Sequence, residues 1–211
     1  MRSLALFVLA LLSTAPADSW ATPAVLRLAT TCTACHGVRG RGVADTAVPR
    51  LAGQRPAYLA LQLGQFALNQ RNHPGVRGLE ADLTAQQIRA LSIYFSKQNP
   101  APLRQQPKPT PAQVARARQL LRTGDAARGI AACALCHGGG GADTAAPLLQ
   151  GQPRTYLIVS LSQWRSGIRT GGQGAAMNRA AAQLNHDDMQ ALAAYYGDLQ
   201  LPPPARQRPH R

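Results

Sequence analysis

The four cysteines of this chain lie in two copies of one short motif. Cys-x-x-Cys-His occupies residues 32–36 and again residues 133–137. Two cysteines three positions apart lie on one helical turn, so both thiols can form thioether bonds to one porphyrin, and the next imidazole can reach the iron. The motif therefore predicts two covalently bound haem c groups. The attachment residues are Cys32, Cys35, Cys133 and Cys136, and the proximal iron ligands are His36 and His137.

Paired cysteines also occur in structural zinc sites, in thioredoxin-like redox centres and in disulfides. A zinc ribbon places its two pairs about 15–20 residues apart, whereas Cys133 follows Cys32 by 101 positions. A thioredoxin-like centre expects a βαβ context, which we do not find in this sequence. None of these three uses requires a histidine directly after each second cysteine. The two histidines therefore favour haem.

The first 21 residues have the organisation of a secretory signal peptide. Arg2 gives a positive start, an apolar run follows at 4–12, and small residues offer cleavage after Ala17 or after Ala21. The apolar run is too short to span a bilayer, and no later run is long enough. We therefore expect export across the inner membrane and a periplasmic mature protein.

The rest of the chain repeats one order of elements twice. Each half contains a haem motif, a Pro-x-Leu-x-Gly-Gln segment (49–54 and 147–152) and helical patterns, and corresponding positions lie 98 or 101 apart. No segment has the pattern of a strand, which predicts an all-α fold. The predicted organisation is a signal peptide (1–21), a first domain (22–98), a proline-rich linker (99–111), a second domain (112–201) and a disordered basic tail (202–211).

Local signals indicate where several helices begin. A short helix is expected over 24–31, and Thr84 with Gln87 has the spacing of a capping box. Thr110-Pro111 forms an N-cap followed by a proline at the first helical position, and Asn185 starts the last helix. Domains of about 75–90 residues have marginal cores, so each haem is expected to form part of the core of its domain.

The formal net charge of +14 restricts the choice of partners. A basic surface favours redox proteins with an acidic docking face, such as an oxidase or a dehydrogenase, and peripheral contact with an anionic membrane. The arginines are spread along the chain without a nucleic-acid motif, so we expect no nucleic-acid partner.

Together, these motifs closely resemble the cytochrome c4 family, periplasmic dihaem cytochromes made of two class I cytochrome c domains. The resemblance covers nearly the whole mature chain. It implies two tandem class I domains, each wrapped around one haem, and electron transfer between a quinol-oxidising membrane system and a terminal oxidase or another periplasmic partner. It also implies that the backbone carbonyl groups of Pro49 and Pro147 orient the proximal imidazoles.

The sixth iron ligand is expected to differ between the halves. Class I domains usually supply a methionine from the loop before the last helix, and Met177 has that position, seven residues before Leu184. Met189 follows the helical period of the last helix and is expected in its core.

The first half departs from this pattern. Val76 stands where the methionine is expected, and no methionine lies between residues 2 and 176. His73, three residues earlier, is a candidate ligand that would give a bis-histidine haem of lower potential. In the alternative arrangement, His73 is a surface residue and the first iron is five-coordinate or binds water.

Three functions follow from these patterns. The first is an electron-transfer protein without substrate chemistry of its own. The second is a peroxidase or gas sensor that uses an open first iron, and the third is the haem subunit of a periplasmic dehydrogenase. Since His73 is the only obvious distal acid–base group, the sequence favours electron transfer over enzyme chemistry.

Overall fold

The computed structural model describes residues 20–71, 82–103, 106–138, 145–170 and 174–201. The α-helices in these ranges are α1 (Pro23–His36), α2 (Pro56–Ala67), α3 (Ala85–Ser96), α4 (Pro111–Arg122), α5 (Ala134–His137), α6 (Arg154–Arg165), α7 (Ala175–Ala182) and α8 (His186–Asp198). The same ranges contain no strand, only an isolated bridge between Asp125 and Ile130. The all-α prediction is therefore confirmed.

The predicted helix starts at Thr84, Thr110 and Asn185 are confirmed. Thr84 Oγ1 accepts a hydrogen bond from the Gln87 N–H at 3.2 Å, and Gln87 Oε1 accepts one from the Thr84 N–H at 2.8 Å. The same reciprocal pair forms at 110–113 and at 185–188. Each pair satisfies backbone groups that the first turn of a helix otherwise leaves without partners.

Two segments differ from the sequence prediction. The helix expected over 24–31 continues through the first haem motif, because no glycine or proline interrupts it before Gly37, whose φ of 74° ends it. Met177, expected in a loop, lies in α7. Alanine is the residue with the highest helix propensity, and the alanine-rich sequence around Met177 extends the helix there.

Each half of the chain has its own apolar core. In the first half α2 and α1 both pack on α3, and in the second half α8 packs on α4 and α6. Met189, with 4% of its surface exposed, lies in the second core as predicted. Cys32 packs against the first core and Cys133 against the second, so each haem motif begins at the edge of a core.

The linker packs along the second half. Gln106 Oε1 accepts a hydrogen bond from the Arg154 N–H at 2.8 Å, and Gln106 Nε2 donates to the Gly197 carbonyl at 3.1 Å. These two bonds join the linker to the start of α6 and the end of α8. In the part of the chain that the structure describes, no helix is long and apolar enough to span a bilayer.

Candidate haem centres

The first haem motif lies on the last turns of α1. Cys32 is half-buried and Cys35 is exposed. Burial raises the pKa of the Cys32 thiol, although hydrogen bonding acts in the opposite direction. His36 Nδ1 lies 2.7 Å from the Pro49 carbonyl oxygen. Burial lowers the pKa of His36 more than this bond raises it, which favours the neutral imidazole that binds metals.

The second motif has the same arrangement on and beside the short helix α5. Cys133 is half-buried and Cys136 is exposed, and burial again raises the pKa of the first thiol of the pair. His137 is buried, with 7% of its surface exposed. Its Nδ1 lies 3.0 Å from the Pro147 carbonyl oxygen. The two halves thus present matching sets of two thiols and one oriented imidazole.

The contacts to proline define the tautomer of each histidine. A carbonyl oxygen can only accept a hydrogen bond, so Nδ1 of both imidazoles must carry the proton. In that tautomer Nε2 holds the lone pair and is the nitrogen that can bind a metal. A donated Nδ1–H also fixes the plane of the ring and increases the basicity of the ligand.

The arrangement of the thiols fits haem better than zinc or a disulfide. All four cysteines lie in the described ranges, and none of them forms a disulfide. Within those ranges, no group of three or more histidine, cysteine or acidic side chains is placed to hold a metal ion. One imidazole and two thiols per motif is the donor set that haem c uses, because the porphyrin supplies four iron ligands itself.

Of the residues at the predicted distal positions, only Met177 lies in the part of the chain that the structure describes. His73 and Val76 lie outside the described residues. Met177 is half-buried in α7. The adjacent Asn178 joins α7 to α6, because its Nδ2 donates to the carbonyl groups of Trp164 at 2.8 Å and Arg169 at 3.1 Å.

Sequence reasoning missed the contacts that join the two halves. The Arg50 N–H donates to Gln152 Oε1 at 2.9 Å, and Gln152 Nε2 donates to the Arg50 carbonyl at 2.9 Å. The Leu148 N–H donates to Gln54 Oε1 at 2.8 Å, and Gln54 Nε2 donates to the Leu148 carbonyl at 2.9 Å. We call these two pairs the glutamine clamps. The signal was the glutamine that ends both Pro-x-Leu-x-Gly-Gln segments.

A buried arginine lies in a second contact between the halves. Arg169 is 6% exposed and stacks on the Trp164 ring at 4.3 Å. Its Nη2 donates to Tyr58 Oη at 3.2 Å and to Gln62 Oε1 at 2.7 Å. Burial by itself would raise the pKa of the neighbouring Tyr156, but the charges of Arg71 and Arg169 outweigh it and lower that pKa to about 7.

Comparison with known proteins identifies the family. A sequence model of cytochrome c matches residues 24–98 and 114–200. Cytochrome c4 of Pseudomonas aeruginosa is 33% identical over 175 residues, which are 81% of this chain and 85% of that protein. The crystal structure of reduced recombinant cytochrome c4 from Pseudomonas stutzeri superposes with a TM-score of 0.73 and 30% identity, covering 83% of this chain and 97% of that chain. The chain belongs to the cytochrome c4 family.

This member of the family is a dihaem electron-transfer protein, not an enzyme, and each domain binds one covalent haem c. Iron in the haem supplies the one-electron chemistry, while the protein supplies ligands, burial and orientation. The chain is also similar to the thiosulfate dehydrogenase electron acceptor of Thiomonas intermedia. The identity is 37% over 204 residues, which are 96% of this chain and 93% of that protein.

Proposed function

We propose that this protein accepts electrons from a periplasmic dehydrogenase of the thiosulfate-oxidising class and passes them to a further redox protein. The similarity to the Thiomonas intermedia electron acceptor, which covers 96% of this chain, carries this proposal. The predicted signal peptide supports a periplasmic location. The sequence predicts an electron carrier, and this proposal names the class of protein that supplies its electrons.

The proposed haem ligands follow from the motifs and the geometry. His36 and His137 are the proximal ligands, and their contacts with Pro49 and Pro147 support that role. Met177 is the proposed distal ligand of the second haem.

The first haem has a different proposed ligand, His73, because Val76 has no donor atom for iron. If carbon monoxide binds readily to the reduced first haem, the first iron is open, and the ligand-binding alternative is favoured instead.

Exposed apolar side chains adjoin both haem motifs and support the proposed docking of redox partners. Val38, two residues after His36, is 73% exposed, and Leu135, between the cysteines of the second motif, is 70% exposed. The formal net charge of +14 makes the protein as a whole basic. Protein–protein interfaces combine an apolar core with a polar rim, and a basic protein attracts an acidic partner over long range.

The experiment is a stopped-flow measurement of haem reduction. The oxidised cytochrome is mixed with thiosulfate and a catalytic amount of purified thiosulfate dehydrogenase, and absorbance follows both haems. We expect reduction that depends on the dehydrogenase and slows as ionic strength rises, because salt screens the charges. Reduction no faster than with thiosulfate alone would contradict this donor assignment.

A further inference from the structure

Each glutamine clamp joins a backbone segment that also contacts a proximal histidine. The Pro49 carbonyl and the Arg50 N–H belong to one planar, conjugated peptide group. The oxygen of this group accepts from His36 Nδ1 at 2.7 Å, and its N–H donates to Gln152 Oε1 at 2.9 Å. One peptide group therefore separates the imidazole of the first half from a glutamine of the second half.

The second half has the reciprocal arrangement. The Pro147 carbonyl accepts from His137 Nδ1 at 3.0 Å, and the Leu148 N–H of the same peptide group donates to Gln54 Oε1 at 2.8 Å. Gln54 and Gln152 are 2% and 3% exposed. Both chains of hydrogen bonds therefore run through an interface from which water is largely excluded.

Hydrogen bonds in series polarise one another, most strongly in a medium of low dielectric constant. When the peptide N–H donates to glutamine, amide resonance moves electron density onto the carbonyl oxygen of that peptide. A more negative oxygen is a better acceptor for the imidazole Nδ1–H, which makes Nε2 a stronger donor to iron. A stronger donor stabilises ferric over ferrous iron and lowers the reduction potential.

We propose that Gln152 and Gln54 are positioning residues that tune the haem of the opposite domain. Gln152 acts on the first haem through His36, and Gln54 acts on the second haem through His137. This inference rests on the ligation by both histidines in the proposed function. Its consequence is that each haem has its working potential only while the two domains are docked.

A purely structural clamp would give a different result. If the glutamines only hold the domains together, replacing either one would weaken docking and affect both haems without a crossed pattern. In a crossed pattern, each substitution shifts the potential of the haem in the opposite domain. This pattern is specific to the shared peptide groups, because each glutamine contacts the peptide group that hydrogen-bonds to the proximal histidine of the other domain, not the one that hydrogen-bonds to the histidine of its own domain.

The test is a redox titration of Gln152→Met and Gln54→Met, each serving as the matched control of the other. Methionine keeps the length of glutamine and removes its hydrogen bonds. We expect Gln152→Met to raise the equilibrium constant for reduction of the first haem about three- to tenfold, which is about 30–60 mV at 59 mV per tenfold for one electron. Gln54→Met should shift the second haem in the same direction, with little change at the other haem in each case.

Nuclear magnetic resonance provides a second readout. The hyperfine-shifted Nδ1–H signal of each proximal histidine in the ferric protein should move for His36 in Gln152→Met and for His137 in Gln54→Met. Shifts at the haem of the mutated domain, equal shifts at both haems, or no shift would overturn the inference.

The variant Gln152→Glu covers the case in which methionine prevents docking. A protonated carboxyl group can accept from the Arg50 N–H and donate to the Arg50 carbonyl, so this variant should recover the parent potential at a pH where it is protonated. A Glu variant that matches the Met variant at that pH would overturn the inference. If the parent protein gives no haemochrome signal, or if its spectra show no histidine-ligated haem, the proposed function is refuted instead.

Discussion

Asp188 Oδ2 accepts a hydrogen bond from Arg128 Nη1 at 2.7 Å, although 60 residues separate them in the chain. Arg116 Nε donates to Asp188 Oδ1 at 2.7 Å, and both arginines also reach Asp125. The Asp188 side chain is 2% exposed. This cluster joins α4, the turn after it and α8 within the second half of the chain.

Replacing Asp188 with asparagine should destabilise the second domain by about 2–3 kcal/mol. The substitution removes one of the two carboxylates that Arg116 and Arg128 share and leaves them Asp125. Removing one partner of a buried charged pair is costly. Arg116 and Arg128 keep partial contact with water, with 28% and 30% of their side chains exposed, which limits the loss. Urea unfolding followed by haem absorbance measures the free energy of unfolding.

The effect of Asp188→Asn on the free energy of unfolding should depend on pH. Burial raises the pKa of Asp188, but hydrogen bonds from Arg128 and Arg116 outweigh it and hold the pKa below its ordinary value. A carboxylate with a lowered folded pKa stabilises the protein above its unfolded pKa of about 4 and loses that effect as pH falls further. The difference between the parent and Asp188→Asn should therefore shrink below about pH 4. The exposed neighbour Asp187→Asn is the control, and an equal loss there would contradict a specific role for Asp188.

The buried Arg169 should stabilise the contact between the domains. Arg169→Met removes the hydrogen bonds to Tyr58 and Gln62, and charged hydrogen bonds contribute about 1.5–3 kcal/mol each. Because the substitution also removes the cost of burying a guanidinium charge, we expect a net loss of about 2–3 kcal/mol in the free energy of unfolding. A double-mutant cycle with Tyr58→Phe should give a nonzero coupling energy. The exposed Arg179→Met is the control for loss of charge, and additive effects of Arg169→Met and Tyr58→Phe would argue against direct coupling.

The features that were predictable from the sequence depend on residues that are close together in the chain. The haem motifs span five residues, and the capping box at Thr84 requires only a glutamine three positions later. The glutamine clamps join residues 94 and 102 positions apart, so they require the fold. The identical glutamines at the ends of both Pro-x-Leu-x-Gly-Gln segments marked these positions but did not reveal that each one contacts the other half.

The structural setting of Met177 could not be predicted from the sequence. The second half was expected to present Met177 from a loop, because the family resemblance supplied that expectation. The alanines around it instead continue a helix, which holds Met177 beside Asn178 and its two carbonyl partners. Tertiary contacts of this kind depend on α6, whose position cannot be derived from the sequence of α7 alone.

Met177→Ala should remove the methionine–iron charge-transfer band of the ferric protein and lower the potential of the second haem. A thioether ligand raises the potential of haem iron, so its loss favours the ferric state. Met189→Leu is a matched control, since Met189 is buried in the core and should leave both the band and the potential unchanged. An intact band in Met177→Ala would exclude Met177 as the ligand.

The mature protein should begin at Asp18, after cleavage at Ala17 and not at Ala21. Trp20 lies against α3, with its ring centroid 6.4 Å from that of Tyr94 and its face 5.2 Å from Lys97 Nζ. Cleavage after Ala21 would remove this contact. It would also place the new α-ammonium on Thr22, the N-cap of α1, where a positive charge opposes the helix dipole.

Intact-mass spectrometry of the exported protein distinguishes the two cleavage sites directly. Trp20→Ala in the protein that begins at Asp18 should reduce the stability of the first domain by about 1–2 kcal/mol, because the aromatic contact and the cation–π contact with Lys97 are both lost. Since α3 contributes Phe95 to the core of the first domain, this loss should appear in the unfolding of that domain and leave the second unchanged. If the mass of the exported protein corresponds to a start at Thr22, and if Trp20→Ala leaves the stability of the first domain unchanged, Trp20 serves only in export.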